Sequence, residues 1–213
     1  MSTETQLTDR FTAAFDYAAE IHGDDFRKAK SDDPLPGAPY ISHPMSVAAL
    51  VLEYGGTEDE AIGALLHDLA EDHGGEAALS EITARFGEDV SRIVRNCSDA
   101  LPAEGEGKED WQPRKERYIA SQEHKPLNAL FVSCADKVHN ARSILRDHRL
   151  IGDEVYGRFK PGRVSLENGR DKTLWYYDEL VTVFKRRFDE AGLKRGTYLA
   201  EELENTVGEL HSR

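Results

Sequence analysis

Six side chains in this sequence have the types and spacing to do chemistry: His43, the adjacent pair His67-Asp68, Asp136, and the acids Glu71 and Asp72. The first four sit beside strongly apolar sequence. His67-Asp68 follows Ala64-Leu65-Leu66, and Asp136 interrupts the most apolar helical stretch of the chain. A buried, unpaired charge costs several kcal/mol, so such positions need compensation. A divalent cation supplies it. Two imidazoles and two carboxylates make a mixed nitrogen and oxygen set suited to Mn²⁺, Fe²⁺ or Zn²⁺, with positions left for water or a phosphate oxygen. Taken singly, each residue has an ordinary reading. A histidine before a proline is usually structural, a His-Asp pair is common by chance, and Asp136 can be a satisfied carboxylate. The argument for a metal rests on their joint occurrence.

Glu71 lies four residues beyond His67, and Asp72 four beyond Asp68. On a continuing helix each shares a face with a ligand candidate. Acids there can orient or deprotonate a water and later protonate a leaving group. The alternative is a solvated helix end, which the helix dipole disfavours for carboxylates. Asn140, Arg142 and Ser143 follow Asp136 within two turns and are candidates for reading a base or ribose. Arg27, Lys28 and Lys30 form a basic cluster ahead of His43, able to neutralise a polyphosphate or simply to be solvated.

These residues need helices to position them, and helical periodicity dominates the chain. Thr8 or Asp9 caps a first helix with the stripe Phe11, Ala14, Phe15, Ala18, Ile21, ending near Gly23. Residues 24–39 hold Pro34, Pro36, Gly37 and Pro39 and read as an exposed loop. A short helix follows, with Pro44 in its first turn. Thr57-Glu58-Asp59-Glu60 is a capping box, and the helix it opens runs on towards Gly74-Gly75. Ser80 starts another that closes at Gly87, and a further one carries Val90, Ile93, Val94 and Cys97. Residues 99–110 read as a mobile loop. Pro113 suits a first turn, and a long helix follows Pro126 through Leu145. Residues 152–170 read as a second long loop, then Leu174, Tyr177, Val181, Phe184 and Phe188 share one side of a helix. Thr197 starts an amphipathic tail with Leu199, Leu203, Val207 and Leu210, packed on its own bundle or on a partner chain. No alternating run suggests a strand, so the fold class is all-α, an irregular helical bundle.

The bulk numbers bound the function. The chain has 213 residues, 39% hydrophobic and 31% charged, enough for one domain with a real core. The formal net charge of −13 argues against general binding of DNA, whose phosphates demand lysine and arginine. No apolar run approaches the roughly 18–20 residues needed to span a membrane, and the start of the chain has no signal-peptide pattern. The two cysteines, Cys97 and Cys134, fall on apolar stripes and read as buried free thiols, which suits a cytoplasmic location.

Together the strings His22…Arg27-Lys28, Gly37-Ala38-Pro39-Tyr40-Ile41-Ser42-His43-Pro44, Ala64-Leu65-Leu66-His67-Asp68-Leu69-Ala70-Glu71-Asp72 and Ala135-Asp136-Lys137-Val138-His139-Asn140-Ala141-Arg142 resemble the hydrolase domain of the RelA/SpoT homologue family, within the HD-domain phosphohydrolases. The likeness covers roughly residues 8–188. It implies an HD-type domain over 1–190, with 191–213 as a C-terminal amphipathic helix or tail. It implies one Mn²⁺ held by His43, His67, Asp68 and Asp136, catalytic assistance from Glu71 and Asp72, and a nucleotide surrounded by Arg27, Lys28, Ser42, Asn140, Arg142 and Ser143. The family reaction removes the 3′-pyrophosphate from (p)ppGpp, the alarmone of the stringent response, returning GDP or GTP. The chain looks like a small alarmone hydrolase, similar to the metazoan SpoT homologue.

The loop after Lys28 carries Ser31-Asp32-Asp33 and is longer and more acidic than in the long enzymes. The expected partner is a small anionic nucleotide, with no DNA and no membrane, and a homodimer is possible. The same pocket can serve ppApp, the 2′-phosphate of NADPH, or a pyrophosphorylated tRNA end in a toxin antidote. A non-catalytic nucleotide sensor is the reading from another class. It requires a broken ligand set, whereas all four ligand candidates and both acids are present.

Overall fold

The computed structural model describes residues 4–27, 37–98, 110–159 and 166–213, apart from the side chains of 159 and 166–168. Lys28, Lys30, the 31–33 acids and most of the expected 99–110 loop lie outside the described residues. Among those described, every regular element is a helix. The chain divides into two compact units, residues 1–25, 39–106 and 125–136, and residues 26–38, 107–124 and 137–213.

The first unit begins with α1 (Asp9–Ile21), whose N-cap Thr8 accepts a hydrogen bond from the Arg10 amide. Thr8 and Arg10 both bond Glu58 as well, which docks the start of α1 beside α3 (Glu58–Leu66). Helix α2 (Ser42–Glu53) has Pro44 in its first turn, where a missing amide hydrogen costs nothing. It packs on α3 through Val47, Leu50 and Val51, all buried. The capping box opening α3 is complete: the Glu60 amide donates to Thr57, and the Thr57 amide donates back to the Glu60 carboxylate.

Helix α3 does not run on to Gly74 as its pattern suggests. It stops at Leu66, His67 and Asp68 form a turn, and a single helical turn, α4 (Leu69–Asp72), follows. The next start also differs from expectation. Helix α5 (Gly75–Phe86) begins five residues before Ser80, which lies inside it and returns its hydroxyl hydrogen to the Glu76 carbonyl. A mid-helix serine bonding one turn back mimics the local chemistry of a cap. Helix α6 (Glu88–Cys97) then covers α3 and α5. A Cβ at Gly63 would lie 2.6 Å from Ile93 Cγ2, so the close approach of α3 to α6 depends on that glycine.

The second unit holds α7 (Trp111–Ser121), with Pro113 in its first turn, and α9 (Leu166–Glu190), against which α7 packs. Helix α8 (Leu127–Ile151) is continuous, its residues to Asp136 counted with the first unit and the rest with the second. The described residues of the expected 152–170 loop are helical. A 3₁₀ helix covers Gly152–Phe159, and α9 starts at Leu166. The glycines of that stretch suggested a loop, but buried Val155 and Tyr156 anchor the 3₁₀ turns to α9. Arg158 is paired with Asp147 at 2.5 Å.

Helix α10 (Lys194–His211) begins three residues ahead of Thr197, whose hydroxyl bonds Asp189. Its stripe Leu199, Leu203, Val207, Leu210 is buried against α9, so the tail packs on its own chain. Here too a glycine sets the distance, since a Cβ at Gly196 would meet the Phe188 ring at 2.5 Å.

Candidate active site

The four ligand candidates converge in the first unit. His43 is the second residue of α2, His67 and Asp68 make the turn between α3 and α4, and Asp136 comes from α8. His43 Nε2 lies 3.2 Å from Asp136 Oδ1 and 3.5 Å from Asp68 Oδ2. His67 Nε2 lies 3.2 Å from Asp68 Oδ2 and 3.8 Å from Asp136 Oδ1. The imidazole rings meet edge to face, centroids 5.1 Å apart. The break after Leu66 gives this geometry its meaning. It turns two adjacent residues, which on one helix would diverge by about 100°, towards a common point.

Backbone contacts orient the donors. His67 Nδ1 lies 2.8 Å from the Ala64 carbonyl, so that nitrogen carries the proton and Nε2 presents its lone pair. His67 Nε2 is buried and has no hydrogen-bond partner among the described residues. An orphaned imidazole lone pair facing two carboxylate oxygens and a second imidazole fits a divalent metal ion. One donor atom each from His43, His67 and Asp68 lies within 4.8 Å of the others.

The electrostatics agree. Burial pushes the His43 imidazole below its ordinary pKa, against the pull of Asp136 and Asp68, and keeps it in the neutral form a metal requires. Burial works against the Asp68 carboxylate, but the imidazoles of His67 and His43 and the Tyr40 hydroxyl outweigh it and hold its pKa down. Asp72 moves the other way: partial desolvation, then the charge of Asp68, raises its pKa. Two carboxyls four residues apart are thereby driven in opposite directions.

Tyr40 was not singled out for chemistry, though it lies in the string that carries His43. Its hydroxyl donates to Asp68 Oδ2 at 2.5 Å and also approaches Asp72 Oδ2 at 3.4 Å. Burial and the charge of Asp68 keep the phenol protonated far above its ordinary pKa, so it acts as a donor. Glu71 is exposed at the rim of α4. Ser42 opens α2, immediately before His43.

The remaining candidates belong to the second unit. Arg27 Nη2 donates to Asn140 Oδ1 at 2.9 Å, uniting two residues 113 positions apart. Ser143 is half-buried on α8. Arg142 is exposed and engages Glu202 of α10 at 2.8 Å. Both cysteines are free, Cys134 buried and Cys97 partly so, and burial raises the Cys97 thiol to about 11, which leaves it unreactive.

Comparison with known proteins places this geometry. The model of the HD domain family matches residues 14–157. Guanosine-3′,5′-bis(diphosphate) 3′-pyrophosphohydrolase MESH1 of Mus musculus is 34% identical over 191 residues, covering 84% of this chain and 93% of its own. Its counterpart from Xenopus tropicalis is 36% identical over 138 residues, 62% of this chain and 68% of its own. Among solved structures, a metazoan orthologue of SpoT that hydrolyses ppGpp superposes with a TM-score of 0.66 at 23% identity, covering 97% of this chain and 96% of that one. At that identity the likeness speaks for the fold. With the family match spanning most of the chain and the donor set in place, this protein belongs to the HD domain family, among the relatives of MESH1.

Proposed function

We propose that this protein is a metal-dependent hydrolase that removes the 3′-pyrophosphate of (p)ppGpp to give GDP or GTP. The observation that carries this is the convergence of His43, His67, Asp68 and Asp136, with His67 Nε2 left buried and unpaired. The activity named for the mouse relative, which this chain matches along 93% of that protein's length, supports the substrate class.

The four residues would hold one divalent ion; the mixed nitrogen and oxygen donors suit Mn²⁺, Fe²⁺ or Zn²⁺, and the family resemblance points to Mn²⁺. Bound there, the ion supplies Lewis acidity towards a phosphoryl oxygen and towards water. The protein's own residues do the rest. Tyr40 donates to Asp68 and fixes which oxygen faces the imidazoles. Asp72, with its raised pKa, takes a proton from the attacking water and returns it to the departing 3′-oxygen, with Glu71 beside it to orient the water. From the family resemblance, Arg27, Lys28, Ser42, Asn140, Arg142 and Ser143 contact the nucleotide. The Arg27–Asn140 hydrogen bond supports pairing a phosphate-binding cation with a base-reading amide.

The test is turnover of ppGpp by purified protein freed of metal and reloaded with Mn²⁺, read by product identity. Release of GDP and pyrophosphate is expected. Turnover of ppApp or NADPH with none of ppGpp would move the assignment to another nucleotide. Tight ppGpp binding without product would make the protein a sensor.

A further inference from the structure

A second group of metal-ligand side chains stands in the first unit outside the site described above: His22, Asp25 and His73. His22 is the C-cap of α1, Asp25 lies in the turn after it, and His73 is the C-cap of α4. One oxygen, Asp25 Oδ2, is met by His22 Nδ1 at 3.0 Å and by His73 Nε2 at 2.8 Å. The imidazole rings are nearly perpendicular, at 72°, with centroids 5.0 Å apart. One donor atom from each residue lies within 4.8 Å of the others. None of the three is among the ligand candidates read from the sequence.

A hydrogen-bonded hub joining α1 to α4 explains part of this arrangement. Two observations go further. Donor atoms on an ion with bonds of about 2.0–2.2 Å stand roughly 3–3.4 Å apart, so separations of 2.8 and 3.0 Å need only a small outward movement to admit one. In addition, His22 is only 1% exposed, yet its Nε2 has no hydrogen-bond partner among the described residues. The ring has been taken out of water with Nδ1, the nitrogen that faces Asp25 and would bind the ion, holding one hydrogen bond. Burying such a ring is costly unless something stronger than one hydrogen bond holds it. Asp25 and His73 are 39% and 33% exposed, so an ion has a path from solvent.

We propose that His22, Asp25 and His73 form a second divalent-cation site of the two-histidine, one-carboxylate kind. Two nitrogens and one carboxylate oxygen select a first-row transition ion such as Zn²⁺, Co²⁺ or Mn²⁺ over Mg²⁺ or Ca²⁺. The three ligands leave positions for water or an anion. An ion there clamps the segment after α1 to the end of α4. Tyr40 lies between the two groups, its ring 4.7 Å from the His22 ring and its hydroxyl on Asp68, so occupancy of the second site bears on the orientation of a first-site residue. The assignment stands on its own geometry and does not depend on the substrate.

The experiment counts ions. Full-length protein stripped with a chelator is reloaded with Zn²⁺ or Co²⁺, freed of excess, and its metal content measured per chain. Two equivalents are expected. Asp68→Ala should lose one and His73→Gln the other, with helical circular dichroism retained, and the double variant should hold none. A wild-type stoichiometry of one that vanishes with Asp68→Ala overturns the proposal, as does undiminished binding of two ions by His73→Gln. A measurement without variants guards against misfolding: in the wild type, Zn²⁺ should shift the imidazole NMR signals of His22 and His73. Unshifted signals at saturating Zn²⁺ overturn the site.

Discussion

The first unit carries two groups of histidine and aspartate, and they differ in what holds them. In the group of His43, His67, Asp68 and Asp136, both imidazoles are nearly inaccessible, and each sits within 3.2–3.8 Å of two carboxylates. One ring is locked by a backbone carbonyl, that of Ala64, so its other nitrogen faces the carboxylates and not a proton donor. In the group of His22, Asp25 and His73, a single carboxylate oxygen bonds both rings, and that carboxylate is well exposed. The same residue types thus make one site that brings two carboxylates together at buried imidazoles and another in which one exposed carboxylate is shared by two imidazoles and is held by hydrogen bonds in its metal-free form. Burial decides which is which. Two negative carboxylates that cannot both be solvated demand a counter-charge, whereas a single exposed one does not.

The largest effect that tests this contrast comes from Asp68→Ala. If Asp68 holds the ion as proposed, its loss should lower kcat/KM for pyrophosphate release by at least about 10⁴-fold, and Asp136→Ala should do the same. Steady-state kinetics with measured metal content checks it, and a variant within tenfold of wild type would remove the buried group from the chemistry. Asp72→Asn comes next. It keeps the shape of α4 but cannot accept a proton, so kcat should fall by about 10²–10⁴-fold with the first-site metal retained. A fall in metal content equal to the fall in rate would instead make Asp72 a ligand.

The sequence made the buried group legible and left the exposed one unseen, for a physical reason. His43, His67, Asp68 and Asp136 stand out because polar residues interrupt apolar stripes, and the need to compensate them can be argued before any fold is known. His22, Asp25 and His73 lie at helix ends, where polar residues are ordinary, and their meeting depends on how α1 and α4 terminate. The helices were legible in the same uneven way. The Thr57–Glu60 capping box and the Leu199–Leu210 stripe appear as expected. The break after Leu66 does not announce itself, because Leu69 continues the apolar period of α3 straight across it. Gly152 and Gly157 imply a loop until buried Tyr156 shows why the chain is held as a 3₁₀ helix.

Tyr40 touches both groups and sharpens the comparison at a smaller scale. Tyr40→Phe removes the hydrogen bond to Asp68 but keeps the ring against His22. Deleting a hydrogen bond to a metal ligand typically costs about 10–100-fold in metal affinity or activity. The expected result is weaker first-site Mn²⁺ binding by that factor, with His22 and His73 ring signals unchanged in the metal-free protein. Normal Mn²⁺ affinity together with displaced His22 signals would reverse the assignment and make Tyr40 a support of the second group.

The smallest effect concerns stability. Hydrogen bonds from His22 and then His73 hold the Asp25 carboxyl below its ordinary pKa. A folded pKa lower than the unfolded one stabilises the protein above the unfolded value of about 3.9. That contribution is lost as pH falls through the lower folded value. In metal-free protein, Asp25→Asn should therefore lose stability less steeply than wild type below about pH 4 and be the less stable of the two near neutrality. Urea unfolding at a series of pH values measures both slopes. Parallel slopes would mean that the two imidazoles do not stabilise the Asp25 carboxylate, and the contrast between a group held by hydrogen bonds in its metal-free form and one that needs a cation would then fail on its exposed side.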